Sequence, residues 1–427
     1  MKRICSIATV IAFFVPCILN VSCKNEATDD ASWLKHGLEV AEVQILSTAK
    51  EYCDTSCIPC SVSKYFSWDD WSFQIGQSVP EDAAAEEPFE PEMYLGAPVD
   101  WRSGFFPGSL WELYKITGKE EFKDYAVTYT NKLNAIRYVL TTHDLGFMSM
   151  PSYGNAFVLS PDDTIAVVLK QCADNLVQRF NPNIGCIRSW GKIGESSGKW
   201  NYPVIIDNMM NLELMFEASK HTGDPQYKDI AVSHALNTIK NHYREDNTTF
   251  HVVSYNDDGT VQCKDNHQGK CAGSRWARGQ AWGLYGFTMS YRETGDKRFL
   301  DQAVKVAKAI MENVKTEDYI PKWDWDAPDS DKTPRDASAA AVTASAMFEL
   351  STFAPQGKKY FKYAENILKS LSSPEYLAEP GTNFGFFLKH SATSVIGRKE
   401  VDAPLSYADY YYLEAARRYI ALKGIDY

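Results

Sequence analysis

One repeated pattern limits what this chain can fold into. Thr117-Gly118-Lys119-Glu120-Glu121-Phe122-Lys123-Asp124-Tyr125-Ala126 is one copy. Thr222-Gly223-Asp224-Pro225-Gln226-Tyr227-Lys228-Asp229-Ile230-Ala231 and Thr294-Gly295-Asp296-Lys297-Arg298-Phe299-Leu300-Asp301-Gln302-Ala303 are two more, and Gly357-Lys358-Lys359-Tyr360-Phe361-Lys362-Tyr363-Ala364 is a degenerate fourth. Before each glycine the chain is almost wholly apolar, as in residues 110–116, 209–218, 283–291 and 339–350. After it, residues 227–243 and 299–314 are amphipathic at helical spacing. A glycine ends a helix in the left-handed conformation, and the next helix starts within a few residues. Buried helix, tight turn and half-exposed helix, repeated, make an array of helical hairpins. The intervals between copies are irregular, which argues against an open solenoid of equal units. A closed toroid accounts for both helix types, with buried helices inside and half-exposed helices outside. The expectation is an all-α toroid in a single domain over residues 33–427, its first helix at residues 33–52.

The N-terminus reads as an address. Lys2 and Arg3 precede an apolar run over residues 7–21, and Leu19-Asn20-Val21-Ser22-Cys23 resembles the end of a bacterial lipoprotein signal. Residues 1–22 are then the leader, Cys23 the lipid anchor and residues 23–32 a polar tether; a plain secretory signal is the alternative. Nothing later is long and apolar enough to span a bilayer. The expected location is the bacterial cell envelope, facing the periplasm or the cell surface, with the membrane touched only through the lipid. Loss of Lys2 and Arg3 takes the net charge from -11 to -13, so the basic footprint of a nucleic-acid partner is missing. Aromatic residues make up 13%, which suits a surface that packs on sugar rings as well as it suits a large core. Residues 81–91 are acidic and proline-containing, hence an exposed loop. Cys53, Cys57 and Cys60 lack a matching second pair, and no HExxH is present, so no metal is expected. Cys263 and Cys271 bracket a glycine-containing loop and are candidates for pairing in an oxidising compartment.

The chemistry-bearing residues lie between the hairpins. Residues 204–216 are apolar on nearly every side, yet they contain Asp207. Burial disfavours a carboxylate, so the expected pKa of Asp207 is raised and the group suits a general acid. The alternative is that Asp207 caps a helix starting near Asn208. Asp144, beside His143, is its best partner carboxylate, because two nearby carboxyls do not readily ionise together. Asp324, Asp326 and Asp336 compete, although Asp336 precedes an alanine-rich helix and suits a cap. Arg278 is either a bidentate receptor for a carboxylate or a structural ion-pair member. Trp276 and Trp282 either flank a sugar ring or belong to the core.

Four motifs in order carry a resemblance. They are Trp101-Arg102-Ser103-Gly104-Phe105-Phe106-Pro107-Gly108, His143-Asp144-Leu145-Gly146, Ile206-Asp207-Asn208-Met209-Met210-Asn211 and Trp276-Ala277-Arg278-Gly279-Gln280-Ala281-Trp282. Over residues 101–413 the chain resembles the unsaturated glucuronyl hydrolases of glycoside hydrolase family 88. The resemblance implies an (α/α)6 toroid of six hairpins that needs no metal or organic cofactor, and the chain itself is expected to be a monomer. It implies substrates that are oligosaccharides with a 4,5-unsaturated uronic acid at the non-reducing end, glycosaminoglycan fragments foremost. A pectin-directed unsaturated galacturonyl or rhamnogalacturonyl hydrolase and a non-catalytic glycan-binding lipoprotein are the alternatives. By match, Asp207 is the general acid/base and Asp144 its partner. His143, Trp101, Phe105, Trp190, His251, Gln268, Trp276, Arg278 and Trp282 fall at positions that contact the ring or its carboxylate, and Ser391 and Ser394 where some members contact sulfate. The family's reaction protonates C4 of the C4=C5 vinyl ether and adds water at C5; the hemiketal then opens and expels the leaving sugar.

Overall fold

The computed structural model describes residues 31–79 and 90–427. The leader, Cys23, most of the tether and most of the 81–91 loop lie outside the described residues. In three hairpins the glycine does what the sequence requires. Gly118, Gly223 and Gly295 are left-handed, and their N–H groups bond Tyr114, Ser219 and Tyr291 carbonyls to close the preceding helix. Asp224 and Asp296 then cap the following helices through Gln226 N and Arg298 N. The degenerate fourth copy differs. Its inner helix ends at Leu350, and Gly357 is instead the first residue of the next helix.

Six inner helical segments form a closed ring. They are Phe105–Thr117, the interrupted segment Leu145–Ser149, Met150–Gly154 and Asn155–Leu159, then Leu212–Thr222, Ala277–Thr294, Ala337–Leu350 and Ser406–Lys423. The last packs on the first, which closes the circle. Six outer helices alternate with them: Ser32–Tyr52, Glu120–Lys132, Asp163–Gln178, Pro225–His242, Lys297–Asn313 and Gly357–Leu371. Inner helices bury every side, as Ala277 to Ser290 does without a break, whereas Lys297–Asn313 buries one stripe. The expected six-hairpin toroid is therefore the observed fold, and Ser32–Tyr427 is one unit.

Short strands decorate the loops. Tyr202–Ile205, Val252–Tyr255 and Val261–Asp265 form an antiparallel sheet, and Ser391–Ser394 pairs with Lys399–Ala403. The buried stretch at 204–216 is split three ways: a strand, a 3-10 turn at Ile206–Asn211 and then a helix. Close approach fixes that turn. A Cβ on Gly286 would lie 2.4 Å from Met209 Cβ, and one on Gly146 would lie 2.5 Å from Asn211 Cα. Cys263 and Cys271 are both unpaired thiols, contrary to the pairing considered above.

Candidate active site

Because each inner helix returns through an outer one, all six inner N-termini face the same mouth. The segments that precede them touch one another there. The strand Tyr202–Ile205 delivers Asp207 into the 3-10 turn, with Ile206 N bonded to His251 O at 3.0 Å. Asp207 is 9% exposed and makes no capping hydrogen bond, so the capping alternative falls away. Its Oδ2 lies 3.4 Å from His251 Nε2, beyond a good hydrogen bond, and neither atom has another partner. His251 Nδ1 accepts from His267 N at 3.1 Å and Gln268 N at 3.2 Å. With Nδ1 an acceptor, the neutral ring carries its proton on Nε2, directed at Asp207.

The pKa of Asp207 differs from the expectation. Burial raises it, but the His251 contact and the charges of His251, His143 and Arg278 outweigh burial and hold it below the ordinary carboxylate value. The sequence displayed the apolar run and not these three neighbours. Asp144 lies on the segment that Asn211 ties to this turn. Its Oδ1 lies 3.2 Å from His143 Nε2, and its Oδ2 accepts from Thr142 Oγ1 at 2.5 Å. His143 Nδ1 is 3.5 Å from Asn211 Nδ2, and Asn211 Oδ1 accepts from Phe147 N at 3.0 Å. Asn211 thus joins the Asp207 turn to the segment that carries Asp144. Asn211 and Thr142 were not singled out as site residues, although a buried amide in the apolar 204–216 run is a visible signal.

Arg278 carries a structural ion pair, one of the two readings that its sequence left open. The residue is 1% exposed, and Nη1 and one Nη2–H of its guanidinium are engaged. Nη1 bonds Asp336 Oδ2 at 2.7 Å and Ala392 O at 2.5 Å, and Nη2 bonds Thr393 O at 2.8 Å. Asp336 caps its helix through Ser338 N and Ala339 N, as expected. Arg278 is therefore a member of a structural ion pair, while its Nε–H and the second Nη2–H bond nothing among the described residues. Gln268 is likewise engaged, donating to Thr393 O at 3.0 Å.

The aromatic positions divide. Trp101 and Trp190 are partly exposed at the mouth. Phe105, Trp276 and Trp282 are buried, so they support the site from behind and offer no open ring face. Phe105 and Trp282 pack on Phe147 at 5.7 and 5.1 Å between centroids, and Trp276 lies under His251 at 4.6 Å. Trp190 instead meets Trp200 at 5.4 Å and the exposed His267 at 5.1 Å. Of the two serines in the hairpin, one is buried and one is partly exposed. Ser391 is buried, and Ser394 Oγ accepts from Gly397 N in the hairpin turn.

Two carboxyls, two imidazoles and partly exposed tryptophans in one mouth suit proton transfer to a bound ring. Comparisons agree with that chemistry. The model of Glycosyl Hydrolase Family 88 matches residues 77–419. An unsaturated glucuronyl hydrolase from Formosa agariphila is 42% identical over 332 residues, covering 77% of this chain and 82% of that protein. An unsaturated chondroitin disaccharide hydrolase from Streptococcus pneumoniae is 31% identical over 329 residues, 75% of this chain and 82% of that protein. The crystal structure of an unsaturated glucuronyl hydrolase specific for heparin superposes with a TM-score of 0.83 and 45% identity, over 93% of this chain and 99% of that one.

Proposed function

The chain belongs to Glycosyl Hydrolase Family 88, and from that premise we propose that it removes a 4,5-unsaturated uronic acid from the non-reducing end of lyase-generated oligosaccharides, glycosaminoglycan fragments foremost. The observation that carries the reading is Asp207: a carboxyl at the mouth whose Oδ2 faces a lone imidazole N–H and bonds nothing else. Protonated, it delivers its proton to C4 of the vinyl ether, and the ring oxygen stabilises the positive charge left at C5. Water adds at C5 and gives up a proton to a carboxylate, Asp207 or Asp144. The resulting hemiketal opens and the leaving sugar departs. Trp101 and Trp190 supply the ring faces on which the saccharide packs. Heparin-derived disaccharides head the substrate panel, because the heparin-specific relative shares more identity over more of the chain than the chondroitin relative does.

The experiment is loss of ultraviolet absorbance of the conjugated uronate across heparin, chondroitin and pectin lyase products. Asp207→Asn should lower kcat on the best substrate by about 10²–10⁴-fold, the usual contribution of a positioned acid, with the melting temperature preserved. A folded Asp207→Asn protein that turns over at the wild-type rate would sink the reading. The chain acts from the cell envelope, as a monomer held by lipid on Cys23. Membrane fractionation of Cys23→Ala checks the anchor, since a variant that stays with the membrane has another one.

A further inference from the structure

Arg179 is a buried cation with no carboxylate beside it. It is 1% exposed, at the C-terminal end of the outer helix Asp163–Gln178. Among the described residues no Asp or Glu oxygen lies within 4.0 Å of its guanidinium. Four backbone carbonyls take its donors. Nε bonds Arg188 O at 2.9 Å and Nη1 bonds Leu140 O at 2.6 Å. Nη2 bonds Ser189 O at 2.9 Å and Gly191 O at 3.2 Å. A buried guanidinium without a partner anion is costly. Burial pushes its pKa down to about 10, and the like charge of Arg188 acts in the same direction, while Tyr202 and Asp144 oppose it.

What the four carbonyls belong to explains the arrangement. Leu140 leads into the segment that carries Thr142, His143 and Asp144. Arg188, Ser189 and Gly191 surround Trp190. Ser189 is the shared node: its carbonyl also accepts from His143 N at 3.1 Å, and Thr142 bridges to Trp190. Ser189 N donates to Pro203 O, and Ser189 Oγ accepts from Ile205 N at 2.9 Å, two residues before Asp207. One side chain thus sets three catalytic segments against one another, from behind the mouth.

We propose that Arg179 is a positioning residue for the reaction: its fork fixes the Asp144 segment against the Trp190 segment. Lysine cannot replace it, because an ammonium does not reach carbonyls on both sides with a rigid planar fork. The inference rests on the proposed hydrolase reading for its kinetic arm and not for its stability arm.

The kinetic arm compares wild type with Arg179→Lys on the best unsaturated disaccharide, with rates expressed per folded molecule. A misplacement of about 1 Å costs on the order of 10²-fold, so kcat should fall by about tenfold to a hundredfold in protein that melts cooperatively. An unchanged kcat per folded molecule overturns the proposal. The stability arm is a cycle of Thr142→Ala in the wild-type and Arg179→Gln backgrounds. Thr142→Ala should lower the melting temperature in the first, where Arg179 holds the segment that carries Thr142 and Asp144, and should lower it less in the second, where that segment is already released. Equal shifts in both backgrounds also overturn the proposal. Should Arg179→Gln not fold, the Lys variant decides alone. Wild-type protein that consumes no unsaturated disaccharide would refute the function while the melting cycle still tests Arg179.

Discussion

Arg278→Ala should damage the fold before it damages recognition. The substitution removes the only cation that bonds Asp336 among the described residues, and the Asp336 carboxylate is fully buried. It also strips donors from Ala392 O and Thr393 O. Breaking a buried pair from one side costs about 3–5 kcal/mol, because the remaining charge has no solvent. Against a total stability of about 5–15 kcal/mol this is a large fraction. For a chain of this size it corresponds to a melting temperature lower by roughly 3–6 °C. The hairpin Ser391–Ser394 and Lys399–Ala403 should loosen with it, since two of its carbonyls lose their tether to the inner helix. Arg278→Lys keeps the charge and loses the fork, so it should fall between alanine and wild type. The partner change supplies the control: Arg278→Leu with Asp336→Asn leaves no buried charge and should recover part of the loss. Calorimetry on the four proteins, with kcat and KM measured well below the lowest melting point, reads all of this. An Arg278→Ala protein that melts like wild type but shows a raised KM only for substrates with a free carboxylate would refute the reasoning. It would return Arg278 to the ligand.

Two further outcomes follow from the packing. Gly146→Ala forces a Cβ onto Asn211, where backbone must give way, so stability should drop by about 1–3 kcal/mol and kcat should fall as the Asp144 segment moves from the Asp207 turn. Wild-type kinetics and melting in that variant would show that the contact does not position the pair. His234 and His242 are buried, with burial pushing their pKa from 6.5 down to about 3 and about 4. Between those values and 6.5 the unfolded chain binds protons that the folded one does not, so stability is full above about pH 6.5 and is lost as pH falls. By pH 5 the loss should be on the order of 2 kcal/mol for each histidine, and melting that does not change between about pH 7 and 5 would contradict it.

The ring of hairpins was legible because its signals are local. Gly118, Gly223 and Gly295 close helices with residues a few positions away, and the apolar runs before them have nowhere to go but inside. The departures all come from contacts between distant segments. Gly357 failed as a cap because the helix before it stops at Leu350, leaving a turn between. The motif around Arg278 said that a guanidinium belongs there, but its use depends on Asp336 and on a hairpin more than a hundred residues later. Arg179 drew no notice because an arginine after an amphipathic helix reads as a solvated end. Its burial is made by the loop at residues 188–191 folding over it.

Asp207 is the same lesson with a consequence for the rate. A general acid with a depressed pKa in the free enzyme has little proton to give at neutral pH unless something restores it. The neighbours that depress it are His251, His143 and Arg278, all cationic or able to become so. A bound uronate brings an anion into that mouth and displaces water. Like charge and desolvation both favour the protonated carboxyl, so Asp207 should hold its proton to higher pH in the complex than in the free enzyme. The alkaline limb of kcat/KM reports the free enzyme, and that of kcat reports the complex. The limb of kcat should therefore lie at the higher pH. His251→Asn removes the strongest of the depressing contacts and leaves burial in place, so it should move the kcat/KM limb upward and narrow the gap between the two. Profiles from about pH 4 to 9 on wild type and variant decide it. Coincident limbs in the wild type, or a downward move in His251→Asn, would mean that Asp207 is not the proton donor or that His251 does not set its charge.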